Sequence, residues 1–229
     1  MPDTELTTNR YRPQIETFQR IVQRYRGFES LHRVLDFGCG QGIETAYLHR
    51  LTGAQVFGID VNQEFDPWAR SIAGLTNYDG EHVPFPDDFF DAVYSFHVLE
   101  HVGELSKVLA EVRRVLKPEG VAYFGVPNKG RLLGYFGMSD KSLADKIRQN
   151  LTDWKLRLCH RFENALGAHA GFKESELVKI LADYFPKVVP VTAQYYQYKH
   201  ERLHHAFKIL AQARLQQLVW PSVYVVCIK

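Results

Sequence analysis

Three acids and a run of glycines carry the chemistry this chain can offer. Asp36 stands near the end of an apolar, β-prone run, Arg33–Phe37, and Gly38, Gly40 and Gly42 follow it. Glycines at alternate positions permit backbone angles that other residues avoid, and let the main chain lie against a ligand. Ile43, Ala46, Tyr47 and Arg50 then take helical spacing. The free N–H groups of that helix start favour an electron-rich ligand group. No Gly-Lys-Ser/Thr ending is present, which excludes a phosphate-cradling ATPase loop. Ile43 stands where a dinucleotide fingerprint needs its third glycine, and Asp36 would repel a pyrophosphate. A carboxylate at this point suits a cation. Asp60 ends a second run of the same kind, Gln55–Asp60, and Asp79 precedes Gly80.

Histidines supply the proton chemistry. His97-Val98-Leu99-Glu100-His101 follows an apolar run, and positions i, i+3 and i+4 share one helix face. Histidine titrates near neutral pH, so His97 and His101 are candidate bases. His160 and His169 lie in the second half and are candidates for an acceptor pocket. Two stretches mimic zinc motifs: His97–His101 is formally H-x-x-E-H, and His200–His204 is formally H-E-x-x-H. The second lacks a third ligand, since no Asp or Glu follows Glu201. Packing by Glu100 and His101 is the preferred reading of the first, and no metal is assigned to either.

These residues need a scaffold, and the pattern supplies one. The chain has 229 residues, 45% hydrophobic and 24% charged, which fits one α/β domain with elaborations. Strands are expected at Arg33–Phe37, Gln55–Asp60, Leu75–Tyr78, Phe90–Phe96, Val121–Val126, Val188–Tyr195 and Ser222–Ile228. Helices are expected at Tyr11–Tyr25, with Pro13 in its first turn, after Asp66-Pro67, and at Glu104–Leu116, Glu174–Tyr184 and His200–Leu218. Pro118-Glu119-Gly120 reads as the turn before the fifth strand. Strands alternating with helices imply a parallel sheet covered on both faces. Between Ser139 and Leu166 there is no Gly or Pro, and Leu143, Ile147, Leu151, Trp154, Leu158 and Phe162 recur at helical spacing. This long amphipathic insertion is expected to help form a lid over the acceptor. Its apolar residues, with Leu132, Leu133, Tyr135 and Phe136, point to a hydrophobic or carrier-bound acceptor.

Net charge is +2 but uneven. Residues 129–161 hold eight basic and three acidic residues, and residues 199–214 hold four basic and one acidic. The rest of the chain is therefore acidic. The basic part would face an anionic acceptor, an acidic carrier or a membrane surface, by peripheral contact. Three cysteines do not make a disulfide framework, and Met1–Arg12 lacks the apolar core of a signal peptide. The cytoplasm is the expected compartment.

Four stretches, taken in order, resemble the class I S-adenosylmethionine-dependent methyltransferases of the type 11 kind. Val34–Gly42 is similar to the cofactor loop, and Gly58-Ile59-Asp60 to the acid-ended second strand. Asp79-Gly80-Glu81 with Val83–Asp88 and Phe90–Val93 resembles the third block, and Leu116–Gly120 the turn before strand five. S-adenosylmethionine carries an ammonium and a sulfonium and no phosphate, which agrees with Asp36. The resemblance implies a Rossmann-like, mostly parallel seven-stranded sheet with helices on both faces. Helical insertions would follow strand five and separate the last two strands. Residues 1–32 would form a helical lid, 33–128 the cofactor-binding core, and 129–229 the substrate-side helices and closing strands.

It also implies roles. Asp36, with the backbone at Gly38 and Gly40, would hold the methionine end. Asp60 would accept from ribose hydroxyls, Val61 would lie on the adenine, Asp79 would take its amine, and Gly80 would approach the ring. Phe96 would stand at the cofactor mouth. His97–His101 is similar to a Glu-x-x-Glu-His stretch in ubiquinone-pathway O-methyltransferases, with His97 replacing the first Glu. The expected activity is methyl transfer to a small-molecule, lipid-like or carrier-bound acceptor, at oxygen ahead of nitrogen or carbon. A non-turnover cofactor-binding module is the first alternative, opposed by the intact Asp36, Asp60 and Asp79. RNA methylation is the second, opposed by the lack of a recognisable RNA-binding module, so a nucleic-acid partner is not expected.

Overall fold

The computed structural model describes residues 5–26, 31–62, 64–135, 142–164, 170–200 and 216–229. Seven strands form one sheet: β1 Arg33–Phe37, β2 Gln55–Asp60, β3 Gly74–Asn77, β4 Phe90–Phe96, β5 Leu116–Pro127, β6 Lys187–Pro190 and β7 Ser222–Ile228. Their order is β3-β2-β1-β4-β5-β7-β6. β1 to β5 pair in parallel, and β7 runs antiparallel to both β5 and β6. The chain reverses its direction of winding between β1 and β4, the point where open α/β sheets leave a crevice at their carboxyl ends.

The helices are α1 Glu5–Arg26, α2 Ile43–Thr52, α3 Pro67–Arg70, α4 Leu105–Val115, α5 Leu143–Leu158, α6 Glu174–Ala182, α7 Thr192–Lys199 and α8 Gln216–Val219. A 3-10 turn, Leu99–His101, links β4 to α4. β1, β4, β7 and the second half of β5 are buried on both faces, so they read as apolar runs rather than alternations. Alternation still decides what each side chain meets. Leu35 and Phe37 join the core beneath α4 and α6, with Val108, Val112, Leu177 and Phe185. Val34 faces the other way, into the core of α1, α2 and α7, with Phe18, Tyr47, Tyr94 and Tyr195. Asp36 shares that second face, where Thr45 of α2 meets it.

Several elements differ from the sequence expectation. α1 begins at Glu5, so Pro13 lies inside it rather than in its first turn. The turn before Pro13 is held by tertiary packing: Tyr11 stacks on Tyr47 with ring centroids 5.3 Å apart. β3 lies one residue earlier than expected, and Tyr78 follows it. β5 starts at Leu116, and Pro118-Glu119-Gly120 is a bulge inside it. Partners shift there from Phe90–Leu116 to Ala92–Val121, and Glu119 takes a left-handed φ of 62°. β6 ends at Pro190, and Thr192–Lys199 is helix, not strand. The run Val191–Tyr198 is rich in β-formers, but packing overrides that preference. Tyr195 stacks on Tyr224 at 3.6 Å, and the Thr192 hydroxyl accepts from the Tyr224 N–H at 2.9 Å. Most of the expected His200–Leu218 helix, with four of the five residues of its H-E-x-x-H stretch, lies outside the described residues, as do Phe136 and His169.

Candidate active site

β1 delivers Asp36 to a place without water, 3% exposed. The Thr45 hydroxyl, on the first turns of α2, donates to its Oδ2 at 2.6 Å. Burial, and next the charge of Glu44, push the Asp36 carboxyl up to about 8. No cation pairs with it among the described residues. A buried carboxyl without a countercharge prefers to stay protonated. A cationic ligand group brought beside it would reverse that preference.

The glycine loop is shaped by two contacts. Gly38 has φ +81°, and a Cβ there would lie 2.2 Å from Val98 Cγ2, so the loop and the turn after β4 touch backbone to side chain. Gly40 also has positive φ, but a Cβ there would meet nothing within 4 Å. Its N–H donates to Asp60 Oδ2 at 2.6 Å, while the Asn62 N–H donates to Oδ1 at 2.8 Å. Each oxygen of Asp60 keeps a lone pair for a further donor.

A cavity of about 310 Å³ opens at the carboxyl ends of β1 to β4. Gly38, Asp60, Val61, Asp79, Gly80 and His101 all line it, together with Phe37, Tyr78 and Val98. Six of the expected site residues are thus brought together. Asp79 Oδ1 accepts from the Glu81 and His82 N–H groups at 2.8 and 2.7 Å. These bonds, and then the one with the His82 ring, hold its carboxyl down to about 2. Asp79 therefore stays ionised and fixes the loop that presents Gly80, whose φ is +88°. Val61 is 62% exposed, an apolar side chain left open on the cavity wall.

Asp36 and Gly40 do not line the cavity; Gly40 is bonded to it through Asp60, and Asp36 lies one and two residues before the lining Phe37 and Gly38. Phe96 and His97 do not line the cavity. Phe96 shares the strand face of Tyr94 and packs at 6.2 Å on Tyr224, on the α1 side of the sheet. The period of two in β4 puts it there. His97 has φ 59°, stacks on Phe96 with centroids 4.1 Å apart, and holds Nε2 3.2 Å from the Ser222 hydroxyl.

Glu100 is the residue whose importance the sequence hid. Its side chain is fully buried between His97 and His101, and neither carboxylate oxygen has a hydrogen-bond partner. His97 Nδ1 lies 3.8 Å and His101 Nε2 3.9 Å from Oε1. Burial pushes its carboxyl up to about 7. Among the described residues no group of three or more His, Cys, Asp or Glu is arranged to hold a metal. Tyr78 and Thr45 were also missed. Tyr78 packs edge-on against Phe37 at 5.7 Å on the cavity wall, and only its place beside Asp79 marked it. Thr45 gave no sequence signal beyond a hydroxyl in the first turn of a helix.

Comparison with known proteins places this geometry. Residues 35–124 match the family model described as "Methyltransferase domain". The chain is 36% identical over 127 residues to the sterol 24-C-methyltransferase ERG6B of Gibberella zeae, covering 48% of this chain and 33% of that protein. It is 36% identical over 121 residues to a glycine/sarcosine/dimethylglycine N-methyltransferase of Actinopolyspora halophila, covering 48% of this chain and 21% of that one. The chain thus spans a third or less of the length of these relatives. The plantazolicin methyltransferase BpumL, solved in complex with SAH, superposes with a TM-score of 0.64 at 17% identity, over 100% of this chain and 86% of that one. Sheet order, loop and family match together give residues 35–124 the class I methyltransferase fold.

Proposed function

We propose that this chain binds S-adenosylmethionine and transfers its methyl group to a small-molecule or lipid-like acceptor. The observation that carries this reading is the juxtaposition of Asp36 and the cavity. A buried carboxyl without a countercharge stands behind an open glycine loop, and four further acids, Asp60, Asp79, Glu81 and Glu104, line the same space. That arrangement fits a ligand with cationic and hydroxyl groups and no phosphate. The bound cofactor would supply a methyl group on an already activated sulfonium.

The residues then divide the work. Asp36, with the Gly38 and Gly40 backbone, neutralises the ammonium of the methionine end. Asp60 accepts from the ribose hydroxyls with its spare lone pairs. Val61 and Gly80 face the adenine, and Asp79 accepts from its amine. Alignment of donor and acceptor in a site that excludes water is the larger part of catalysis for such a displacement. An oxygen acceptor must also lose a proton. His101 stands on the cavity wall to take it, with Glu100 3.9 Å behind its Nε2. That pair supports oxygen ahead of nitrogen or carbon. Phe96 and His97, outside the cavity, support the turn that carries Glu100 and His101.

Titration calorimetry of the purified chain tests the cofactor. Micromolar binding of S-adenosylmethionine and S-adenosylhomocysteine, about −8 kcal/mol, is expected. No heat with either ligand would overturn the reading. A screen of metabolite and lipid extracts with methyl-labelled cofactor then reads the acceptor atom. Methyl ethers or esters are expected, and labelled amines alone would reject the oxygen assignment.

A further inference from the structure

Helix α5 is built inside out. Three of its polar residues, Asn150, Asp153 and Arg157, face the protein. Asn150 is buried, accepts from the Gly134 N–H at 2.6 Å and donates to the Gly134 carbonyl at 2.9 Å. Asp153 pairs with the buried Arg131 at 3.0 Å. Arg157 donates to the carbonyls of Lys129 and Arg131, and lies 4.0 Å from the Phe162 ring centroid. These bonds fix the helix to the body without its apolar side.

The apolar side faces out. Leu143, Ile147, Leu151, Trp154 and Leu158 form one stripe and are 45% to 84% exposed. The stripe does not line the cavity. It continues instead across the surface. Trp154 Nε1 donates to the Leu132 carbonyl, and the Leu132 N–H donates to the Leu218 carbonyl. Leu132, Leu133, Leu218 and Val219 are exposed as well. Among the described residues, every exposed large hydrophobic except Val61 belongs to this one face. A continuous apolar face of this kind marks a place of association rather than chance exposure.

The charges around it choose the occupant. Arg148 and Lys155 are exposed on the open flank of the stripe. Asp153 is turned inward to Arg131, and Asp145 is engaged by the Ser142 hydroxyl at 2.6 Å and lies 3.7 Å from Arg148, which leaves Lys155, among the described residues, as the charge with no acid drawn against it on this flank. A second copy of the same face would bring these cations against each other. The chain's own stretch 199–214 is also basic, with four basic residues and one acidic. Neither complements the face. An anionic lipid surface does, and a helix with Leu and Trp on one side and Lys and Arg beside them lies flat in such an interface. Sixteen residues give a contact line of roughly 24 Å.

We propose that the outward face of α5, with Leu132, Leu133, Leu218 and Val219, docks on an anionic lipid bilayer. The inference stands whether or not the acceptor is a lipid, because it uses none of the cavity residues.

Vesicle binding by the full chain tests it. The protein should sediment with vesicles of phosphatidylcholine and phosphatidylglycerol and much less with phosphatidylcholine alone, and salt should weaken the binding. The emission of Trp154 should shift to the blue on binding, a signal that Trp154→Phe removes. Leu151→Glu with Leu158→Glu should lower the partition constant at least about tenfold, while binding of S-adenosylhomocysteine and the circular dichroism spectrum stay those of the wild type. Equal partition of wild type and double variant would overturn the proposal, as would no sedimentation of wild type at low salt. A dimer dispersed by the same double variant would assign the face to a second copy instead. Blue-shifted Trp154 emission in the lipid-free monomer would assign it to the chain itself.

Discussion

Asp36 is the residue on which binding and stability pull in opposite directions. Its carboxyl titrates at about 8 in the fold, against an ordinary carboxylate value of 3.8. The folded chain therefore holds a proton that the unfolded chain releases. The stability this gives is complete below pH 3.8 and is lost as pH rises to about 8. A cationic ligand needs the ionised form, so its affinity should rise over pH 6 to 8, by up to about tenfold per unit, and level off above. Calorimetry of S-adenosylhomocysteine against pH checks this, and Asp36→Asn should bind weakly with a flatter profile. Asp60→Ala should weaken binding by about 1.5–3 kcal/mol, the scale of hydrogen bonds to a charged group. Gly38→Ala tests the contact with Val98. A left-handed φ and a Cβ 2.2 Å from Val98 Cγ2 together should cost about 2 kcal/mol, roughly 4–8 °C in melting temperature. Val98→Ala should restore part of it in the double variant. At this scale the sequence showed the acids, since Asp36, Asp60 and Asp79 each sit at or just beyond a strand end beside or near a glycine. It did not show that Glu100 is buried without a hydrogen-bond partner, because burial depends on the packing of the turn after β4 against the rest of the fold.

Elements were legible where their burial is simple. β1, β2, β4 and β7 are short apolar runs bounded by turns, and each is found where the run stands. α3 is found with Asp66 as its cap and Pro67 at its first position. The departures occur where contacts from distant segments decide. α7 is helical because Tyr195 and Thr192 dock on β7, and the β5 bulge is pinned from outside. Asp91, 1% exposed, accepts from the His32 and Arg33 N–H groups, from Arg26 and from Lys117 Nζ at 2.7 Å. It ties the end of α1, the start of β1 and the bulge together. Burial raises its carboxyl, but the Lys117 bond and the two backbone bonds outweigh that and hold it below the ordinary value. Its contribution is therefore present above pH 3.8 and lost as pH falls through the lower folded value. Asp91→Ala should destabilise by about 3–5 kcal/mol, because buried donors lose their acceptor. Thermal melts at pH 7 check it, and the gap between wild type and variant should narrow below pH 4. α5 was legible as an amphipathic helix but not in its direction. Periodicity fixes which residues share a face, and only the partners of Asn150 and Asp153 show that the polar face turns inward.

The whole molecule separates its charges. Residues 129–161 and 199–214 are net basic, and the rest of the chain is net acidic. The structure divides the basic set further. Arg131 and Arg157 are bonded into the body, so they are structural cations. Arg148 and Lys155 face out, Arg148 with Asp145 3.7 Å away. The proposed cofactor site and the α5 face use different residues on different elements, so the two should respond independently. Among the described residues no helix is long and apolar enough to cross a membrane. Arg148→Glu with Lys155→Glu should leave cofactor affinity within a factor of about two, since unscreened attraction fades beyond roughly 8 Å at physiological salt. Saturating S-adenosylhomocysteine, at about a hundred times its dissociation constant, should stabilise both wild type and variant by about 2.7 kcal/mol. That is roughly 5–11 °C in melting temperature for a chain of this size. NAD and ATP should shift neither. A ligand-induced shift in wild type that the charge reversal abolishes would show instead that the basic insertion and the cofactor loop form one site.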